Sequence, residues 1–267
     1  MADQSHVYDY PVDVNSNTAA AKVIGFVGKN RRVLEIGCGP GSITKYLKNQ
    51  NCCSVIGLEI DSKAIQLAAP FCEQVLCIDL NNADWNYLRQ EIGLFQTIVA
   101  ADVLEHLYDP WAVLRQLHPL LDVGGEIVVS LPHVGHAAIT GCLINGSFEY
   151  RDWGLLDRTH IRFFDLAGID ALFRSSDFKI IDVSFVMTHP EETEFAAVWA
   201  QLDAATKHVL RRPNHSDVYQ VVVKAIPRDA KGEPVSVASS ITGNSSLVGD
   251  QVSFLSRLKK LVRHQTT

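Results

Sequence analysis

Continuously apolar runs alternate with amphipathic segments over most of the chain, which predicts strands alternating with helices. The apolar runs predict strands over residues 32–37, 54–60, 74–80, 95–102 and 125–132. The amphipathic segments predict helices over residues 15–29, 43–49, 62–71 and 111–121. Because the predicted strands are apolar throughout instead of alternating with polar residues, both faces of the sheet should be covered by helices, as in parallel sheets.

The pattern changes after residue 132. Residues 133–164 are rich in Gly, His, Arg and aromatic residues, and we expect them to form a helical lid over the carboxyl edge of the sheet. Helices are then predicted over 165–176 and 189–213, and strands over 178–187 and 217–226. The expected architecture is an α/β domain spanning residues 1–226, with a central, mostly parallel seven-stranded sheet and helices on both faces.

The composition differs again at the C-terminal end. Residues 227–250 are poor in aromatics and rich in Ser, Gly and Pro, which predicts a flexible linker. In residues 251–267, apolar side chains share one face of a predicted helix that also carries four positive charges and no acid. Such a basic amphipathic tail suits peripheral contact with an anionic membrane or a protein partner, or packing on its own domain.

Charge and cysteine content narrow the function classes. The 267 residues carry a formal net charge of −6 and the sequence pI is about 5.9, so a nucleic-acid partner is disfavoured. The six cysteines show no C-x-x-C spacing and are interpreted as buried free thiols. No secretory signal and no apolar run of about 18 residues is seen, so we expect a cytoplasmic protein.

A glycine-rich loop directly after the first predicted strand is the first candidate binding element. Residues 33–41 read V-L-E-I-G-C-G-P-G, so three glycines at alternate positions leave the backbone bare enough to touch a ligand. In open parallel sheets, ligands bind beyond the carboxyl ends of the strands, where this loop should lie. The spacing differs from the G-x-G-x-x-G of dinucleotide sites, and Glu35 would repel a pyrophosphate, so a cationic ligand fits better.

The stretch from residue 35 resembles motif I, E-x-G-x-G-x-G, of the class I S-adenosylmethionine (SAM) methyltransferases. The resemblance continues through acids at the ends of the second and third predicted strands and through residues 99–110 and 121–132. It implies a Rossmann-like methyltransferase fold, with SAM as cofactor and S-adenosylhomocysteine as product. The cofactor-binding residues that it implies are Glu35, Gly37, Gly39, Gly41, Glu59 (ribose), Asp79 (adenine), Leu80 and Asp102.

Two segments supply candidates for the methyl-acceptor side. In D-V-L-E-H, an α-helical conformation would place Asp102, Glu105 and His106 on one face. The second segment, L-L-D-R-T-H-I-R-F-F, contains Asp157 and His160. We expect His106, His160 and Asp157 to serve the reaction without a metal, a histidine acting as general base. The alternative is divalent Mg²⁺ or Mn²⁺ bound by Asp102, Glu105, His106 and His160.

Further resemblances bear on the acceptor. The metal pattern resembles that of small-RNA 2′-O-methyltransferases and of ubiquinone-pathway O-methyltransferases, with Asp102 in place of a glutamate. The 155–164 segment is similar to that of bacterial small-molecule and saccharide-pathway methyltransferases, and the aromatics Phe148, Tyr150 and Trp153 suit ring-shaped acceptors. We therefore expect O-methylation of a small-molecule or saccharide-type hydroxyl. Metal-dependent RNA 2′-O-methylation, N- or C-methylation of a metabolite, and a non-catalytic SAM-binding partner stay open.

Overall fold

The structure, a computed structural model, describes residues 9–241. Its strands are β1 (Arg32–Ile36), β2 (Ser54–Glu59), β3 (Gln74–Cys77), β4 (Phe95–Ala101), β5 (Leu121–Pro132), β6 (Phe178–Met187) and β7 (Val218–Pro227). They form a seven-stranded sheet in the order β3-β2-β1-β4-β5-β7-β6. The pairings from β3 through β5 are parallel, whereas β7 is antiparallel to both β5 and β6. The predicted mostly parallel sheet is confirmed.

Helices cover both faces of this sheet. They are α1 (Ala19–Val27), α2 (Ser42–Asn51), α3 (Ser62–Ala68), α4 (Trp85–Ile92), α5 (Pro110–Leu117), α6 (Ala137–Ile144), α7 (Leu166–Ser175), α8 (Ala196–Gln201) and α9 (Ala204–Leu210). Neighbouring strand residues enter different cores: Val33 packs with α1 and α2, while Leu34 packs with α4, α5 and α7. Both faces of each central strand are therefore buried, which explains their uninterrupted apolar sequence.

The structure differs from the sequence prediction in several helical regions. Helix α4 was not predicted, although Asp84 caps its start and Gly93 follows its end. The predicted helical lid contains one helix, α6, and residues 145–164 are mostly turns and extended chain. The predicted helix over 189–213 is divided into a short 3-10 turn, α8 and α9, because Leu202 is extended and Asp203 begins a new helix.

The first part of the predicted flexible linker is packed against the domain. Val237 and Ile241 are 0% and 5% exposed and belong to the same core as α7. The carboxylate of Asp170 in α7 accepts hydrogen bonds from the Val237 amide and the Ser236 hydroxyl. Residues 228–241 are thus part of the folded domain, which corrects the prediction. Residues 242–250 and the predicted amphipathic tail, 251–267, lie outside the described residues, as do residues 1–8.

All six cysteines are free thiols, and four of them are buried. Cys52 and Cys77 are exposed, so the expectation of burial is wrong for these two. Within residues 9–241, no helix combines the length and the apolar character that crossing a bilayer requires.

Candidate functional site

A cavity of about 890 Å³ opens at the carboxyl ends of β1, β2 and β4. Strand order reverses here, since β1 lies between β2 and β4, and ligands of open α/β sheets bind at such a point. Its walls come from the glycine loop, the ends of the neighbouring strands, the 153–160 segment of the lid and the start of β7. All the sequence-predicted cofactor and acceptor residues except Gly39 and Gly41 therefore line one common space, and these two glycines belong to the loop that forms one of its walls.

Each glycine of the loop is required for a different reason. All three have positive φ: 62° at Gly37, 53° at Gly39 and 87° at Gly41. A Cβ on Gly37 would lie 2.6 Å from Val103 Cγ2, and one on Gly41 would lie 3.1 Å from the Ala68 Cα. A Cβ on Gly39 would meet no described atom within 4 Å. The loop thus packs closely on both sides and leaves open space beside Gly39.

Glu35 lies in β1 at the floor of the cavity and is 2% exposed. Its Oε2 accepts a hydrogen bond from the Thr44 hydroxyl at 2.5 Å. Burial raises its pKa to about 7, against the opposing effect of that hydrogen bond. A cationic ligand in the cavity would favour the ionised form. Thr44, in the first turn of α2, thus holds this carboxylate.

Two further acids stand beyond the neighbouring strands. The Glu59 carboxylate accepts hydrogen bonds from the amides of Gly39 at 2.8 Å and Ile60 at 2.7 Å, so it ties the glycine loop to the end of β2. Asp79 lies two residues beyond the end of β3 and borders the cavity with Leu80. Hydrogen bonds to the residues that follow it, Asn81 first, lower the Asp79 pKa and keep this carboxylate ionised.

Asp102 follows β4 in a left-handed conformation, with φ of 52°. Its Oδ1 accepts hydrogen bonds from the Ser130 hydroxyl at 2.7 Å and from the Gln220 amide at 2.9 Å. Burial raises its pKa, and these two hydrogen bonds oppose that shift. Asp102 therefore joins the ends of β4, β5 and β7 at the wall of the cavity.

Residues 104–106 form a 3-10 turn and not an α-helix, so the expected shared helix face does not form. The group of side chains that could hold a metal ion consists of Glu105, His106 and His160, whose candidate ligand atoms lie within 4.8 Å of one another. Among the described residues, Asp102 is not part of this group. The structure thus brings together three of the four residues that the sequence suggested as metal ligands.

His106 is held by the lid segment opposite it. Its Nδ1 lies 3.0 Å from the Thr159 hydroxyl and 3.2 Å from the Thr159 carbonyl oxygen. That hydroxyl donates its hydrogen to Asp157 Oδ1 at 2.6 Å, so it can only accept from the imidazole. In the tautomer that fits these bonds, Nδ1 carries the proton and Nε2 the lone pair. Asp157 thereby acts on His106 through Thr159.

His160 and Glu105 lie side by side in the interior. His160 Nδ1 donates to the Leu155 carbonyl at 3.3 Å, and its Nε2 lies 3.9 Å from Glu105 Oε1. Burial lowers the pKa of His160 to about 4, so the ring is neutral. Glu105 is fully buried, and neither carboxylate oxygen has a hydrogen-bond partner among the described residues. Burial, reinforced by the nearby Asp102, raises its pKa well above the usual value.

The sequence motifs did not indicate several side chains that complete the site. Tyr219 and Gln220 lie near the start of β7. They reach the cavity because this strand runs antiparallel to its neighbours. Ser130 and Thr159 act through hydrogen bonds to Asp102 and to His106. Of these residues, only Thr159 could have been found from the sequence, because it lies between Asp157 and His160 in a segment that the sequence analysis identified.

A family model described as a methyltransferase domain matches residues 16–183 of this chain. The chain belongs to this methyltransferase family. The ubiquinone biosynthesis O-methyltransferase of Coxiella burnetii (strain Dugway 5J108-111) is 22% identical over 168 residues, which cover 62% of this chain and 71% of that protein. The fold and the family confirm a class I SAM-dependent methyltransferase.

Solved structures share the fold of this methyltransferase at low sequence identity. A SAM-dependent methyltransferase from Archaeoglobus fulgidus superposes with a TM-score of 0.53 at 16% identity, covering 77% of this chain and 91% of that one. The cyclase SpnF also superposes with a TM-score of 0.53 at 16% identity, covering 82% and 86% of the two chains. Because a cyclase shares this fold, the reaction has to be argued from the site.

SAM is the cofactor of this family, and the cavity of this methyltransferase fits it. The open space beside Gly39 would accept a ligand against the main chain, and the buried Glu35 would suit a cationic amino-acid portion. The Glu59 carboxylate at the end of β2 is oriented by backbone amides and borders the cavity, as a group that binds ribose hydroxyls must. When bound, SAM supplies a methyl group activated by its positive sulfonium.

Proposed function

We propose that this methyltransferase methylates a hydroxyl group of a small-molecule or saccharide-type acceptor. The observation that carries the proposal is the pair of imidazoles, His106 and His160, which line the same cavity as the glycine loop and are each held through Nδ1. The residues proposed to hold SAM are Glu35, Gly37, Gly39, Gly41, Glu59, Asp79, Leu80 and Asp102.

A hydroxyl needs help to act as a nucleophile, because it must lose its proton as it attacks. In the proposed step, the acceptor oxygen bonds to the methyl carbon while the bond from sulfur to that carbon breaks, and the sulfonium becomes a neutral thioether. The Nε2 lone pairs of His106 and His160 either accept the hydroxyl proton or hold an ion that makes the hydroxyl more acidic. In both cases Thr159 and Asp157 position His106.

The lid offers surfaces that suit a ring-shaped acceptor. Trp153 lines the cavity and is 53% exposed, while Phe148 and Tyr150 stand nearby in the lid with their rings in edge-to-face contact. Exposed aromatic faces stack on sugar and ring substrates. The name of the Coxiella relative, an O-methyltransferase, supports oxygen as the accepting atom, weakly at this identity. These features favour a ring-bearing acceptor that is methylated on oxygen.

Methyl transfer from isotope-labelled SAM into an extract of the source cells, followed by fractionation, tests this proposal. We expect label in a saccharide, lipid or small-molecule fraction that survives RNase, with the methyl group on oxygen by mass spectrometry. Label that RNase releases would overturn it in favour of RNA 2′-O-methylation. Label on nitrogen or carbon would also overturn it. The Gly39→Val variant, which should not bind SAM, provides the background.

A further inference from the structure

Glu105 has an environment that an ionised side chain does not normally tolerate. It is fully buried, and both carboxylate oxygens lack a hydrogen-bond partner within the described part of the chain. Buried carboxylates in native proteins are paired, hydrogen-bonded or bound to a metal. The side chain lies in the wall of the cavity, beside His106 and His160. A ligand that donates to or coordinates these oxygens would therefore satisfy Glu105.

Two imidazoles next to Glu105 are already oriented as metal-binding histidines are. Each uses Nδ1 to donate to an oxygen of the lid: His106 to Thr159 and His160 to Leu155. Metal-bound histidines usually donate their second N–H to a carbonyl or carboxylate in this way, which fixes the tautomer and turns the other nitrogen toward the ion. The two rings pack edge to face, with centroids 4.8 Å apart.

The backbone holds the two segments together. The carbonyl oxygen of Glu105 accepts hydrogen bonds from the amides of Ile161 and Arg162, both at 3.0 Å. These bonds dock the lid segment that contains His160 on the 3-10 turn that contains Glu105 and His106. The three side chains are thus brought together by main-chain contacts that do not depend on a ligand.

We propose that Glu105, His106 and His160 bind one divalent transition-metal ion at the acceptor side of the cavity. Their candidate ligand atoms lie within 4.8 Å of one another. Metal–ligand bonds of about 2.1 Å place neighbouring ligand atoms about 3 to 3.5 Å apart, so small side-chain rotations of about 1 Å close the site. Two imidazoles and one carboxylate leave coordination positions open toward the cavity.

The ligand set indicates the kind of ion. Two nitrogens and one carboxylate suit Mn²⁺, Fe²⁺, Co²⁺ or Zn²⁺, whereas Mg²⁺ and Ca²⁺ prefer sites made of oxygen ligands. Asp102, which would have added a second carboxylate, is instead engaged by Ser130 and Gln220. Of the Mg²⁺ and Mn²⁺ that the sequence offered as the alternative to a metal-free reaction, the ligand set therefore favours Mn²⁺ or another transition metal.

This inference deepens the proposed function, because an acceptor hydroxyl in an open coordination position would lose its proton more readily. That proton would pass to solvent at the mouth of the cavity while the oxygen takes the methyl group. Metal binding itself requires neither SAM nor an acceptor, so the two proposals can fail separately.

The test is metal binding by the full-length protein after treatment with a chelator. We expect Mn²⁺ to bind at one ion per chain. Calorimetry, and the loss of the electron paramagnetic resonance signal of free Mn²⁺, measure this binding. Co²⁺ should give the visible absorption of a site with nitrogen ligands. Glu105→Gln and His160→Ala should each weaken Mn²⁺ binding at least 10-fold.

Two further variants separate this site from other effects. Thr159→Val keeps all three ligands but removes the hydroxyl that orients His106, so it should weaken binding about 10-fold while the protein stays folded. His189→Ala is the matched control, because His189 pairs with Asp217 at 2.9 Å, outside this group, and should leave binding unchanged.

The results distinguish the two proposals. Absence of stoichiometric binding by the wild type overturns the metal site, and so does Glu105→Gln binding as tightly as wild type. Full methyl transfer by chelator-treated, metal-free protein overturns the role of the ion in activating the hydroxyl, while leaving the binding site and the proposed function intact. Stoichiometric binding that Glu105→Gln weakens supports the site, even if the methylated atom proves not to be oxygen.

Discussion

At the scale of single residues, Gly39 gives the sharpest prediction about the cofactor. Gly39→Val should abolish SAM binding, because the added carbons enter the open space beside a loop whose Gly37, Cys38 and Pro40 line the cavity. Calorimetry with SAM measures this. Gly124→Val is the control: Gly124 also has positive φ and open space around its Cβ position, but it lies near the start of β5, at the edge of the sheet opposite the glycine loop. Both variants should lose about 1–2 kcal/mol of stability to backbone strain. Equal SAM affinity of Gly39→Val and wild type would contradict the loop assignment.

Replacing Glu35 should have opposite effects on SAM binding and on the stability of the fold. Its pKa of about 7 lies above the unfolded value, so the folded state holds the extra proton between about pH 4.5 and 7 and loses stability as pH rises through that range. Glu35→Gln should therefore raise the unfolding free energy at pH 8 by about 1–3 kcal/mol. Glu35→Gln should also weaken SAM binding. The affinity of the wild type for SAM should decrease as pH falls below about 7, and the affinity of the variant should not.

Thermal unfolding and SAM calorimetry at pH 5.5 and pH 8 check this pair of effects. A Glu35→Gln variant that is less stable than wild type at pH 8, or that binds SAM as tightly as wild type at pH 8, contradicts the prediction.

Residues at strand ends were predictable, and their partners were not. Glu35 and Glu59 stand in or just after apolar runs, so the sequence alone places them at the carboxyl edge of a parallel sheet. Gln220 reaches Asp102 across 118 positions of the chain, and this contact depends on the reversed direction of β7. No local pattern records such a contact, because it arises only from the tertiary arrangement.

At the scale of elements, the strands were predicted well and several helices were not. The strands are buried on both faces and give long apolar runs, whereas α4 is short and has only two fully buried residues, Leu88 and Ile92. The prediction of a helical lid is wrong for a related reason. Residues 145–164 are held by side-chain and backbone hydrogen bonds to neighbouring segments, and such bonds leave no periodic pattern in the sequence. Amphipathic patterns indicate which residues are buried, so they do not predict elements that depend on polar contacts.

Glu194 is predicted to anchor the lid to the sheet. Its carboxylate accepts hydrogen bonds from the Leu155 amide at 2.7 Å and the Tyr219 hydroxyl at 3.0 Å. Glu194→Ala should lower the unfolding free energy by about 1–3 kcal/mol and speed hydrogen exchange at Leu155. Tyr219→Phe removes only the second bond, so it should cost about 1 kcal/mol and leave exchange at Leu155 slow. Slow exchange in both variants would show that the lid is held by other contacts.

At the scale of the whole molecule, the boundary of the domain can be tested by truncation. A chain ending at residue 241 keeps the buried Val237 and Ile241, and a chain ending at residue 227 does not. Burial of two such side chains stabilises by about 3–6 kcal/mol, so the shorter chain should unfold at a clearly lower temperature. Val237→Ala in the longer chain should give a smaller decrease. Equal unfolding temperatures for the two chains would restore the linker prediction.

The placement of β7 has a consequence for how the enzyme becomes active. This strand is the last of the sheet to be synthesised, yet it lies between β5 and β6 and carries Tyr219 and Gln220 to the cavity. While a nascent chain on the ribosome still lacks β7, the outer edge of β5 has no partner, β6 has no strand to join, and Asp102 lacks Gln220. The order of translation thus keeps the cavity incomplete until almost the whole domain has emerged. A chain that stalls before β7 lacks the side chains with which this strand lines the cavity and holds Asp102.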